Sequence, residues 1–226
     1  MAPIQIPIVF LSAGHGGAEP GAVAFGIHEK NVNLDVMLEC ERILKQYPVK
    51  VVCSRRKDEN DNVYEEVREA NACGATIAVS FHANAGKGDG FEVFYYLTSL
   101  EGMKLAETIE KHVIAVTGQN SRGRKTNDLY FTRETTMTAV LCEGWFMDNK
   151  TDMQIADTLE ERKLFGKAYA MGILEYLGIP YESEEETDPE KLYRVQVGAY
   201  AQRSNAERVL ATLKAAGYKD AFIKEG

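Results

Sequence analysis

Apolar residues follow two patterns along the first 180 residues of this chain. Short apolar runs rich in β-branched residues predict buried strands, and longer segments with apolar residues at helical spacing predict helices. The predicted strands cover residues 7–12, 49–53, 75–81, 91–96, 129–132 and 137–142, and the predicted helices cover 29–47, 62–73, 101–117 and 152–177. Because strands and helices alternate, we expect an α/β fold with a mostly parallel, twisted sheet of about six strands and helices on both faces.

The pattern changes after Pro180. Residues 181–191 are largely acidic and lack an apolar period, which is typical of a solvated linker. Beyond this linker the pattern predicts a small βαβ unit, with its strand, helix and strand at 193–200, 204–216 and 219–224. We therefore predict a main domain at 1–180 and a separate C-terminal unit at 192–226.

Charge and composition exclude several classes of protein. The net charge of −8 argues against a nucleic-acid-binding protein, although residues 191–226 carry seven basic and three acidic residues. No apolar run approaches the roughly 20 residues that span a bilayer, so we expect no membrane insertion. The apolar N-terminus lacks a basic leading stretch and is interpreted as a strand, not a signal peptide, which predicts synthesis in the cytoplasm. Four cysteines without a CxxC pair predict reduced thiols.

Ionisable residues follow three of the predicted strands. His15 comes after the first strand within a glycine-rich loop, His82 follows 75–81, and Glu143 follows 137–142. Reactive groups gather at the carboxyl ends of strands in open α/β sheets, so we expect these side chains to share one crevice. A catalytic zinc ion takes three protein ligands, commonly two histidines and a carboxylate.

Each candidate also has a structural explanation. A single histidine after a strand is more often a hydrogen-bonded residue than a metal ligand, and Glu143 could form a buried salt bridge. Glu29 opens a predicted helix, where the helix dipole favours an acidic side chain. Cys142 beside Glu143 is an alternative ligand, whereas His28 and His112 are predicted not to be ligands. The residues alone leave these alternatives open.

Four segments resemble one known family in order and spacing. They read LSAGHGGAEPGAVAFGIHEKNVNL at 11–34, REANACGATIAVSFHANA at 68–85, GFEVFYY at 90–96 and AVLCEGWFMDN at 139–149. Through them the chain from residue 7 to about 177 resembles the zinc-dependent N-acetylmuramoyl-L-alanine amidases, which include phage endolysins and sporulation lysins.

The resemblance implies a function for individual residues. It implies that His15, Glu29 and His82 bind Zn²⁺ and that Glu143 is the catalytic residue. Asn84 matches the asparagine of the family's S-x-H-x-N motif, where it would contact substrate or fix the loop. Trp145 departs from the family, which commonly has glycine there, and would either reshape the substrate groove or pack into the core.

The implied activity is hydrolysis of the amide bond between N-acetylmuramic acid and the L-alanine of the peptidoglycan stem peptide. The enzyme would lyse the bacterial cell wall after its release from the cytoplasm. Two alternatives remain, a zinc peptidase that cuts within the stem peptide and a wall-binding protein with an inactive catalytic domain.

The C-terminal unit resembles half of another domain. Its sequence, YRVQVGAYAQRSNAERVLATLKAAGY, is similar to one βαβ half of a sporulation-related repeat (SPOR) domain. That resemblance implies binding to peptidoglycan glycan strands. Since complete domains contain two halves, we expect this one to pair with a second copy in a homodimer or to pack on the main domain.

Overall fold

The computed structural model describes residues 6–182, 196–219 and 221–224. The chain divides into two compact units, Met1–Tyr181 and Glu182–Gly226. Within the described residues, no helix combines the length and the apolar character needed to cross a membrane.

The first unit contains eight strands and six helices among its described residues. The strands are β1 (Ile8–Ala13), β2 (Val23–Ala24), β3 (Ile27–His28), β4 (Lys50–Cys53), β5 (Ile77–Asn84), β6 (Phe91–Tyr95), β7 (Ser121–Thr126) and β8 (Thr138–Phe146). The helices are α1 (Glu29–Leu44), α2 (Val63–Ala72), α3 (Leu100–Thr117), α4 (Tyr130–Glu134), α5 (Lys150–Met153) and α6 (Leu159–Tyr176).

Six of the strands form one sheet in the order β4-β1-β5-β8-β6-β7. Strands β4, β1, β5 and β8 are mutually parallel, β6 runs antiparallel to β8, and β7 is parallel to β6. The short strands β2 and β3 form a separate antiparallel hairpin. The predicted fold, a mostly parallel six-stranded sheet, is confirmed.

Side chains of the central strands alternate between two apolar clusters. On β1, Val9 and Leu11 lie in the larger cluster, which α1, α3 and α6 cover. Phe10 points to the opposite face and lies in a smaller cluster with residues of α2 and α4. This alternation follows from the two-residue period of a strand, and it places helices on both faces of the sheet as predicted.

Two predicted elements near the carboxyl edge of the sheet are wrong. Residues 129–132 were expected to form a strand, but they enter helix α4 with Phe131 buried, because a short apolar run is compatible with either structure. The single predicted helix at 152–177 is divided into α5 and α6. The start of α6 is fixed by a capping box between Thr158 and Glu161.

Strand β7 was not predicted. Its sequence, SRGRKT, is polar and largely exposed. It lies at the edge of the sheet, where backbone hydrogen bonds to β6 hold it without burial of its side chains. An apolar pattern therefore does not reveal it.

The second unit contains helix α7 (Arg203–Ala215), which confirms the helix predicted there. The flanking strands are not formed over the described residues 196–200 and 221–224, and the beginning of the first one, residues 193–195, lies outside the described residues. A strand requires hydrogen bonds to a neighbouring strand, and one βαβ half supplies few such bonds.

Candidate metal centre

Three side chains from separate parts of the first unit meet at the carboxyl ends of β1 and β5. One potential ligand atom each from His15, Glu29 and His82 lies within 4.8 Å of the others. Glu29 Oε1 is 3.3 Å from His15 Nε2 and 3.2 Å from His82 Nδ1. The loop after β1, the first residue of α1 and the end of β5 supply these residues.

Glu29 is a buried, ionised carboxylate. Only 3% of the residue is exposed, and Glu29 Oε2 accepts the backbone N–H of Ala22 at 2.8 Å. Its Oε1 accepts the backbone N–H of Ala83 at 3.0 Å. Burial by itself raises the pKa of Glu29, but hydrogen bonds with His15 and His82 outweigh it and hold this pKa well below its usual range. Glu29 is therefore charged at neutral pH, as a metal ligand must be.

Two glycines allow the loop after β1 to close around these side chains. A Cβ atom at Gly14 would lie 2.1 Å from the His82 ring, and one at Gly21 would lie 2.5 Å from Glu29 Oε2. Between them His15 has a φ of +65°, a left-handed conformation that is costly for a residue with a side chain. The loop is thus strained and tightly packed at the three candidate ligands.

Arg55 supports the loop after β1 through hydrogen bonds to its backbone, a role that the sequence did not predict. Its guanidinium is buried and donates to the backbone carbonyls of Ala13 at 3.0 Å and Lys30 at 2.7 Å. Asn33 adds a donation to the carbonyl of Gly14 at 3.1 Å. Arg55 comes just after β4, which neighbours β1 in the sheet, and this position could have indicated that it lies near the loop after β1.

Glu143 lies opposite His82 in the register of β5 and β8. Its Oε2 atom is buried and has no hydrogen-bond partner among the described residues. Burial raises the pKa of Glu143 to about 7, with the charges of Glu29 and Glu92 acting in the same direction and that of His82 against it. A buried carboxyl oxygen without a partner beside three potential ligands is suited to a water molecule activated by a metal.

The residues present fit a catalytic zinc ion. Two imidazole nitrogens and one carboxylate oxygen form the usual donor set, and the orphaned oxygen of Glu143 marks an adjacent position for a reactant. Cys142 does not share the site, because it lies in the larger apolar cluster on the other face of the sheet. His112 instead contacts Glu175, with 2.6 Å between its Nε2 and the carboxylate.

Asn84 is half-buried, and Trp145 is buried in the core. Asn84 donates to Glu92 at 2.8 Å and accepts the backbone N–H of Ala85 at 2.8 Å, so its amide fixes the loop that follows β5. Trp145 is 1% exposed and packs on Phe165 with 4.8 Å between ring centroids. Of the two interpretations for Trp145, the structure supports core packing.

Comparisons with known proteins agree with this geometry. The N-acetylmuramoyl-L-alanine amidase family profile matches residues 9–175, and the SPOR domain profile matches residues 174–226. A sporulation-specific N-acetylmuramoyl-L-alanine amidase of Bacillus subtilis is 30% identical, with 93% of this chain and 82% of the relative covered. An endolysin of Bacillus phage SPP1 is 35% identical, with 78% and 68% covered.

Solved structures show the same fold. The catalytic domain of the N-acetylmuramoyl-L-alanine amidase CwlV from Bacillus (Paenibacillus) polymyxa superposes with a TM-score of 0.73 at 31% identity, covering 77% of this chain and all of that domain. The N-acetylmuramoyl-L-alanine amidase AmiC2 of Nostoc punctiforme superposes with a TM-score of 0.73 at 30% identity, covering 76% and 97%.

The raised pKa of Glu143 predicts a pH-dependent stability of the metal-free protein. The pKa rises from an ordinary 4.5 to about 7 on folding, so between these values the unfolded chain releases a proton that the folded chain retains. The free energy of unfolding therefore falls as pH rises through this interval. The total loss is on the order of 3 kcal/mol, because one pKa unit corresponds to about 1.4 kcal/mol. We expect Glu143→Gln to be more stable than wild type above pH ~7 and to converge with it near pH ~4.5.

Denaturant unfolding of the EDTA-treated proteins across this pH range measures the difference in stability between wild type and Glu143→Gln. Glu160→Gln is a matched control, because it removes the same charge from a side chain that is 80% exposed, and its effect should stay small at every pH. A Glu143→Gln effect that is constant with pH would contradict the raised pKa.

Proposed function

Because the chain belongs to the N-acetylmuramoyl-L-alanine amidase family, we propose that it hydrolyses the amide bond between N-acetylmuramic acid and the L-alanine of the peptidoglycan stem peptide. The observation that carries this proposal is the buried, unpartnered oxygen of Glu143 beside the cluster of His15, Glu29 and His82. The substrate of this activity is the peptidoglycan of the bacterial cell wall.

We assign Zn²⁺ to the cluster, with His15, Glu29 and His82 as its ligands. When bound, Zn²⁺ supplies Lewis-acid activation of water and of the scissile carbonyl. Glu143 accepts a proton from the attacking water and then donates it to the nitrogen of the departing L-alanine, as its position and its raised pKa favour. In the metal-free protein Glu29 Oε1 contacts His15 Nε2 at 3.3 Å and His82 Nδ1 at 3.2 Å, so the three side chains that would hold the metal are already gathered at one point.

Two other functions remain as tests of this proposal. A peptidase acting within the stem peptide would leave L-alanine attached to the glycan, whereas the amidase releases peptides with a new N-terminal L-alanine. Mass analysis of the digestion products separates the two. An inactive wall-binding protein is disfavoured because all three candidate ligands are in place.

Replacing Glu143 by glutamine should remove most of the hydrolytic activity and leave zinc binding unchanged. Removal of a general acid–base commonly lowers kcat by about 10²–10⁴-fold, and we expect a loss in that range with one zinc ion per chain retained. EDTA should abolish wild-type activity, and added Zn²⁺ should restore it.

The control is Glu160→Gln, whose site lies on the exposed side of α6. It should hydrolyse peptidoglycan at the wild-type rate. Hydrolysis by zinc-loaded Glu143→Gln at that rate would refute the role given to Glu143.

We further propose that the second unit retains the enzyme on the wall. The SPOR match and the excess of basic residues over 191–226 support binding to an anionic glycan polymer. In a Glu143→Gln background, which avoids digestion of the ligand, a chain that ends at residue 181 should bind purified walls more weakly than the full chain. Both chains with Glu143 restored should hydrolyse small soluble muropeptides equally, and equal wall binding would contradict this role.

We also propose that two copies of the second unit associate. Its apolar side chains Val197, Tyr218 and Phe222 are each about two-thirds exposed, at 64, 65 and 64%. Helix α7 has no buried residue either, so the described part of this unit presents apolar surface that a second copy could cover. Light scattering should give about twice 25.2 kDa for the full chain and a monomer for the chain ending at residue 181. A monomeric full chain would overturn this proposal.

A further inference from the structure

A cavity of about 550 Å³ lies beside the candidate metal centre. It is on the face of the sheet covered by α2 and α4, and His15 and His82 form part of its wall. Apolar contacts come from Val63, Phe131 and Leu141. Its size is within the range of sites that bind small molecules. Atoms attached to a bond that is cut at the metal centre can therefore extend into this cavity.

Two buried polar side chains line the cavity and have no place in the mechanism described above. Glu66 on α2 is 3% exposed, and Ser80 on β5 is fully buried two residues before His82. The Ser80 Oγ atom has no hydrogen-bond partner among the described residues. Buried polar groups are almost always hydrogen-bonded in folded proteins, so this hydroxyl on the cavity wall is free to take its partner from a water molecule or from a bound ligand.

The charge of the lining restricts which ligand fits. Glu19, Asp61 and Glu66 contribute three carboxyl groups, and none of the described residues that line the cavity is a lysine or an arginine. A carboxylate placed beside Glu66 would be repelled by it, and no lysine or arginine of the described lining would offset this repulsion. Only a metal ion at His15 and His82, already paired with the Glu29 carboxylate, would attract it. A neutral carboxamide has both groups required, since its N–H donates to the Glu66 carboxylate and its C=O accepts the Ser80 O–H.

We propose that this cavity binds the second residue of the stem peptide and selects an α-carboxamide over a free α-carboxylate at that residue. The inference rests on the proposed amidase function. The stem peptide continues through the γ-carboxyl of this residue, so its α-group is a short side branch. A cavity covered by α2 and α4 can hold such a short group without having to admit the rest of the peptide. Glu66 is thus a specificity-determining residue, and Ser80 completes the recognition of the carboxamide.

The test uses the full-length, zinc-loaded protein and two muropeptides that differ only in this group, carboxamide or carboxylate. We expect kcat/KM to be at least about tenfold higher for the carboxamide, mainly through KM, since sites that hydrogen-bond a group discriminate strongly against its loss. Glu66→Gln should bring the ratio to about one or reverse it, with zinc content unchanged. Glu69→Gln, an exposed carboxylate on the same helix, is the matched control and should keep the wild-type ratio.

Ser80→Ala tests the site by a smaller change. It removes only the hydroxyl, and it should raise KM for the carboxamide several-fold with kcat preserved. Equal kcat/KM for the two muropeptides in wild type, or selectivity that persists in Glu66→Gln, would overturn the inference while leaving the amidase function intact. Failure of wild type to release stem peptides from either muropeptide and from whole peptidoglycan would overturn the proposed function and this inference with it.

Discussion

The buried carboxylate of Glu29 is the charge on which the candidate metal centre depends. Removing a carboxylate from water costs several kcal/mol unless other groups replace its hydration. Here His15, His82 and the backbone N–H groups of Ala22 and Ala83 replace it. These groups come from the loop after β1, the segment before α1 and strand β5, so the three segments must be folded together for Glu29 to be stable as an anion. The arrangement of the site and the stability of its surroundings are therefore coupled.

Strand alternation decides which side chains reach that centre. On β8, Cys142 enters the larger apolar cluster, and Glu143 points to the face that carries His82. A slip of one residue between β5 and β8 would exchange these faces and bury the thiol beside the histidines. The same alternation places Ser80 on the metal face, next to the cavity that Glu66 completes from α2. The register between β5 and β8 therefore fixes His82, Glu143 and Ser80 on the same face of the sheet.

The sequence predicts strands correctly where burial gives their apolar residues a recognisable pattern, and it misses them where the side chains stay exposed. Strands β1, β5 and β8 lie in the middle of the sheet, and their apolar runs are unambiguous. Strand β7 is an edge strand whose backbone pairing leaves no apolar signature. The strands expected around α7 fail for a related reason, since a strand needs a neighbour that local sequence does not supply.

The sequence by itself determined that candidate ligands follow buried strands of an α/β sheet, because apolar periodicity and the order of the chain are local properties. It also placed Glu29 at a helix start, where the helix dipole was an equally good explanation until its contacts with two histidines were known. Only the tertiary structure decided that Trp145 packs in the core, that Arg55 supports the loop and that Glu66 lines a cavity. The physical reason is that burial and hydrogen bonding depend on what lies opposite a side chain, and those groups are far away along the chain.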